Sequence, residues 1–89
     1  MPITEGDALA RLAGGGFLSY DDVDDIFLAF GFVSAYDGRT IWYSHPDYDV
    51  GEFPANEKHE ISVLSPQQVL IVRTMIRRLR DQRDLIEGM

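Results

Sequence analysis

The segment from Ser65 to Leu79 constrains the fold most, because its residues suit one kind of element only. Ser65 is a helix N-cap, Pro66 takes the first helical position, and Gln68 completes a capping box. Val69, Val72, Ile76 and Leu79 then recur at helical spacing, widened by Leu70 and by Met75 or Ile71. A helix with one apolar stripe has to be covered by other elements. A chain of 89 residues has room for one such core.

The covering elements are legible upstream. Ser19 caps a second helix, with Asp22 at its third position and Asp21, Asp24 and Asp25 in the first turns. Val23, Ile26, Phe27 and Phe30 give it one buried face, and Gly31 supplies a left-handed stop. Residues 32–36 read as a strand and 39–44 as its return, joined by a type I′ turn at Asp37-Gly38. In the return strand Thr40, Trp42 and Ser44 share one face, and Ile41, Tyr43 and His45 the other. Pro46 ends the pairing. Residues 47–58 contain Gly51 and Pro54 and read as a loop, with room for a short strand near 50–53. Residues 60–64 read as the last strand.

Ahead of these, Thr4 and Asp7 have capping-box spacing for a short helix over 4–13, with Ala8, Leu9 and Leu12 as a thin stripe. Gly14, Gly15 and Gly16 follow as a hinge or linker. The expected class is α+β. A three-stranded antiparallel sheet packs on two helices in the order α-β-β-β-α, behind an extra N-terminal segment. The expected boundaries are 1–18 for that segment, 19–84 for the domain and 85–89 for a tail.

Charge separates the two ends. The net charge is −7, and before Ile61 the only cations are Arg11, Arg39 and Lys58. Arg73, Arg77, Arg78, Arg80 and Arg83 follow, against Asp81, Asp84 and Glu87. The average field repels nucleic acid, so RNA binding is expected to be weak and DNA is not an expected partner. The arginine helix is either a solvated face, pairing Arg77 and Arg80 with Asp81 and Asp84, or a contact surface for an anionic partner. No run reaches the roughly 20 apolar residues of a membrane span. Residues 1–4 have no basic region followed by an apolar stretch, so no secretory signal is expected there; with no cysteine in the sequence, a cytoplasmic location is the expectation.

Candidate chemistry is sparse. The Asp21–Asp25 cluster reads as a helix terminus satisfying its dipole rather than a cation site. Asp47, Asp49, Gly51 and Glu52 have only part of a calcium-loop spacing. His45 and His59 are the only histidines, too few by themselves for a typical zinc site. No cofactor is expected.

The segments Phe30-Gly31-Phe32, Gly38 through His45-Pro46, His59, and Leu64-Ser65-Pro66 followed by Val69 and Val72 occur in an order that resembles the HicA-type toxins. The resemblance covers about residues 19–79. It implies a fold like a double-stranded-RNA-binding domain, metal-independent cleavage of messenger RNA, and neutralisation by a HicB-type antitoxin. The family's serine and catalytic histidine correspond to Arg39 and Thr40 here. Threonine cannot shuttle protons near neutral pH. The expectation is therefore a HicA-like domain without ribonuclease activity, acting through a protein partner. Arg39, Trp42, Arg73, Arg77 and Arg80 are the expected contact residues, with Trp42 and Tyr43 as exposed aromatics. The alternatives are an active toxin using His45 or His59, and an unrelated structural or regulatory domain of the same topology.

Overall fold

A computed structural model describes residues 3–14, 18–56 and 63–87. Helices α1 (Glu5–Ala13) and α2 (Tyr20–Ala29) precede strands β1 (Val33–Tyr36), β2 (Thr40–Ser44) and β3 (Phe53–Asn56). Helix α3 (Pro66–Glu87) closes the chain. The class is α+β: two N-terminal helices, a three-stranded antiparallel sheet and a long C-terminal helix.

All three helix starts carry the capping boxes expected of them. The Asp7 N–H donates to Thr4 Oγ1 at 3.1 Å, the Asp22 N–H to Ser19 Oγ at 3.2 Å, and the Gln68 N–H to Ser65 Oγ at 3.3 Å. Each return bond is present, from the N–H of Thr4, Ser19 and Ser65 to the Asp7, Asp22 and Gln68 side chains. Each box satisfies donors that the helix itself leaves orphaned.

The end of α2 is equally well defined. The Gly31 N–H reaches the Leu28 carbonyl at 3.1 Å, and the Phe32 N–H reaches back to the Phe27 carbonyl at 3.0 Å. This is a Schellman motif, with Gly31 at φ +83° in the left-handed position. Its apolar contact is the Phe27–Phe32 ring pair, 4.6 Å between centroids.

The sheet order is β1-β2-β3. Tyr36 pairs with Ile41 and Val33 with Ser44, while Tyr43 pairs with Phe53 and Ile41 with Ala55. The turn differs from expectation. Asp37 pairs with Thr40, its N–H donating to the Thr40 carbonyl at 3.1 Å, so Gly38 and Arg39 are the central residues. Gly38 has φ +100° and Arg39 does not have positive φ, which is the type II′ pattern and not type I′.

The third strand also moves. It is Phe53–Asn56, placed within the stretch expected to be mainly loop. Pro54 argued for a loop, but β3 lies at a sheet edge, where proline is tolerated. Of the strand expected at 60–64, residues 60–62 lie outside the described residues. Val63 forms an isolated antiparallel bridge with Ser19, and the Leu64 N–H donates to the Leu18 carbonyl at 2.8 Å. That bridge starts α2 and α3 side by side. Gln68 Nε2 donates to the Tyr20 hydroxyl at 3.0 Å across the same junction.

The core forms between the helices and one sheet face. Val23, Ile26, Phe27, Tyr43, Phe53, Val72, Ile76 and Leu79 are all buried there, with Ala8 and Leu12 from α1. On α3 the stripe is completed by buried Met75, whereas Leu70 and Ile71 are exposed. Tyr43 is buried too, a correction to its expected exposure, because it shares the inward face with Ile41. Ala35, Trp42 and Pro54 pair across the opposite, open face.

Helix α1 is held by three arginines. Arg83 forms a bidentate pair with Glu5 at 2.9 and 3.1 Å. Arg73 donates Nε and Nη2 to the Leu12 carbonyl at 3.0 and 2.6 Å. The two anchors place α1 antiparallel to α3. Arg11 meets Asp22 at 3.2 Å and Asp25 at 3.5 Å, tying α1 to α2. Among the described residues, no helix is long and apolar enough to cross a membrane.

Gly31→Ala is expected to destabilise the domain by about 1–2 kcal/mol, the usual cost of a side chain in left-handed backbone. The added Cβ would also sit 3.4 Å from His45 Nε2. Gly6→Ala, inside α1 with its nearest neighbour atom at 3.8 Å, is expected to stabilise by about 0.5 kcal/mol. Urea unfolding of the two variants checks both signs.

Candidate functional site

His45 follows the last residue of β2 and lies over the end of α2. Its Nε2 is 3.0 Å from the Phe30 carbonyl, the helix C-cap. Its Nδ1 is 3.1 Å from the Asp47 N–H. A backbone N–H can only donate, so Nδ1 accepts and Nε2 carries the proton given to Phe30. The ring stands edge-on to Phe32 at 5.1 Å and against Tyr48 at 5.1 Å. Both ring nitrogens are thus committed to backbone groups, and His45 acts as a clasp on the Schellman motif. His59 lies outside the described residues.

Thr40 opens β2 at the hairpin. Its N–H donates to Asp37 Oδ1 at 2.8 Å, and the Arg39 N–H donates to the same oxygen at 2.9 Å. Trp42 Nε1 donates to Asp37 Oδ2 at 2.9 Å. The Trp42 bond first, then the Thr40 and Arg39 N–H groups, hold the Asp37 carboxyl below its ordinary pKa. The hairpin tip is therefore a closed hydrogen-bonded unit. Thr40 opens β2 and His45 lies just past its other end, about 16 Å away at ordinary strand rise. The fold does not bring them together.

The expected contact residues divide into two groups. Arg39 and Trp42 belong to the hairpin and the open sheet face. Arg73, Arg77 and Arg80 lie on α3, which packs against the other face. Between α1 and α3 runs a cleft of about 360 Å³ floored by Leu9, Leu12, Ala13 and Ile76. Arg77 and Arg80 line it beside Arg73. The expected pairs of Arg77 with Asp81 and Arg80 with Asp84 are absent among the described residues. An arginine N-terminal to its aspartate at i, i+4 is the weaker orientation on a helix, which explains the loss. Nothing in the hydrophobic periodicity alone could have revealed this cleft, because α1 and α3 are far apart in the sequence.

The aspartates of α2 are dispersed in role. Asp22 serves the capping box and Arg11, Asp25 meets Arg11, and Asp24 accepts a 2.5 Å hydrogen bond from the Tyr43 hydroxyl. Among the described residues, no three histidine, aspartate or glutamate side chains converge as a metal-holding group. Residues 44–52 enclose a second depression of about 410 Å³, lined by Asp47, Asp49 and Glu52 near His45. A third, of about 320 Å³, lies on the far side of α3 against Leu70, Ile71 and Arg78.

No family model matches the chain, and neither a curated protein nor a solved structure matches it at a significant level.

Burial first, then the Asp24 bond, raise the Tyr43 pKa well above its ordinary value. A raised value favours the folded state while the unfolded phenol is still protonated. That contribution is complete below about pH 10 and is lost as pH climbs toward the folded value. Tyr43→Phe is expected to cost about 1 kcal/mol at neutral pH, since Asp24 loses a hydrogen bond but stays half-exposed. Its stability should then decline less steeply than that of the wild type above pH 10, as read by urea unfolding across that range.

Proposed function

We propose that this chain is a partner-binding domain of the HicA type that does not cleave RNA. The observation that carries this reading is the condition of the positions where the chemistry would have to occur. Thr40 stands where the family's catalytic histidine is expected, and a threonine hydroxyl is no base near neutral pH. His45, the described histidine, has both ring nitrogens on backbone groups. A general base needs a nitrogen free to take the substrate's proton.

Three further observations support it. From α2 onward the element order is α-β-β-β-α, in keeping with a double-stranded-RNA-binding-domain-like architecture to which α1 has been added. The charge of −7 opposes a polyanion at long range. Exposed arginines bordering an apolar cleft suit a protein surface better than a phosphate backbone. A HicB-type antitoxin is the partner class that the resemblance implies.

The test is direct. Purified full-length chain is expected to leave RNA uncut and to bind it weakly at physiological ionic strength. Its induced expression in a bacterial host is expected to leave growth unchanged. Growth arrest that His59→Ala or His45→Gln relieves would overturn the reading; glutamine at 45 retains a donor for the Phe30 carbonyl.

A further inference from the structure

We propose that the cleft between α1 and α3 binds an acidic, amphipathic peptide segment of a protein partner. The inference rests on the reading of this chain as a partner-binding domain and names the surface and the chemistry.

Three properties of the cleft point to that occupant. The first is its floor, where Leu9 and Ala13 offer apolar surface to aliphatic side chains above the buried Leu12 and Ile76. The second is the state of its arginines. Arg73 is occupied by the Leu12 carbonyl and Arg83 by Glu5, as both hold α1 in place. Arg77 and Arg80 are exposed and have no hydrogen-bond or ion-pair partner among the described residues. Their spacing puts both guanidinium groups on the α1 side of α3, one turn apart. Guanidinium groups pair with carboxylates bidentately, and they do so best beside surface that excludes water.

The third property is the contrast with the rest of the chain. At physiological salt, charges beyond about 8 Å are screened, so a short segment in the cleft meets mainly the local arginines. A long polyanion would have to cross acidic surface, and its phosphates have no use for an apolar floor. The occupant is therefore a peptide with aliphatic side chains on one face and carboxylates beside them.

The experiment uses the full-length chain, isotopically labelled, and a synthetic peptide of about three helical turns. The peptide carries leucine at helical spacing and glutamate on the flanks; a second version has lysine for each glutamate. The glutamate peptide is expected to shift the amide signals of Leu9, Leu12, Ala13, Arg77 and Arg80. The lysine peptide is expected not to. Arg77→Glu with Arg80→Glu should weaken the glutamate peptide at least about tenfold and let the lysine peptide bind. Arg78→Glu reverses a single charge on the other side of α3 and should leave affinity within about twofold. Both variants alter exposed side chains, and unchanged amide spectra away from the substitutions verify their fold.

Shifts confined to another surface, no shift at saturating peptide, or equal binding by the double variant would each overturn the proposal. So would an RNA oligonucleotide that outcompetes the peptide through the same two arginines. Peptide binding by a chain that also cuts RNA would support the cleft and sink only the absence of nuclease activity. A chain that leaves RNA uncut yet ignores the peptide would sink the cleft alone.

Discussion

The Phe27 ring has no exposed surface, and it meets Phe32, Tyr43 and Phe53 at centroid distances of 4.6, 5.1 and 5.6 Å. These three partners come from the turn after α2, the central strand and an edge strand. Losing such a ring from a core typically costs about 3–5 kcal/mol, which is a large part of a small domain's stability. The Phe27 carbonyl also accepts the Phe32 N–H that closes the Schellman motif. Packing and backbone hydrogen bonding thus meet at one residue. The direction in which the chain leaves α2 follows from it, and so does the position of the β1–β2 hairpin against the helices.

His45 adds the third side of that junction. It receives the Asp47 N–H, donates to the Phe30 carbonyl, and packs on Phe32. Several residues that carry the resemblance to a toxin family are therefore accounted for by helix-end geometry. Gly31 is required by its positive φ, and Ser65-Pro66 is required by the start of α3. A glycine-aromatic turn followed at a distance by His-Pro is a structural signature before it is a catalytic one. The resemblance and the proposed lack of ribonuclease activity are compatible for that reason.

The arginines show how one sequence feature can serve two purposes. As a run along α3 they read as a single basic face. In the fold they separate. Arg73 and Arg83 complete helix α1, one on its terminal carbonyl and one on its first carboxylate. Cations near a helix C-terminus and carboxylates near its N-terminus each complement the backbone dipole. Arg77 and Arg80 have no such task, and they border the cleft that this docking creates. The same docking explains why a short N-terminal helix persists, since a helix of 9 residues has little stability in isolation.

The sequence by itself determined what local chemistry can determine. The three capping boxes, the glycine stop of α2, the hairpin pair and the buried stripe of α3 were legible, because each depends on residues within a few positions of one another. Other expectations changed once distant segments met, as two residues show. Pro54 argued against a strand, and only the edge position of β3 makes that proline harmless. Tyr43 was expected to be exposed as an aromatic contact, yet its ring stacks on Phe27 and its hydroxyl finds Asp24, 19 positions away in the chain. Tertiary structure alone decided which histidine nitrogens and which arginines are taken. Those outcomes depend on backbone carbonyls and carboxylates that approach from distant segments, and a carbonyl acceptor leaves no mark in the amino-acid sequence.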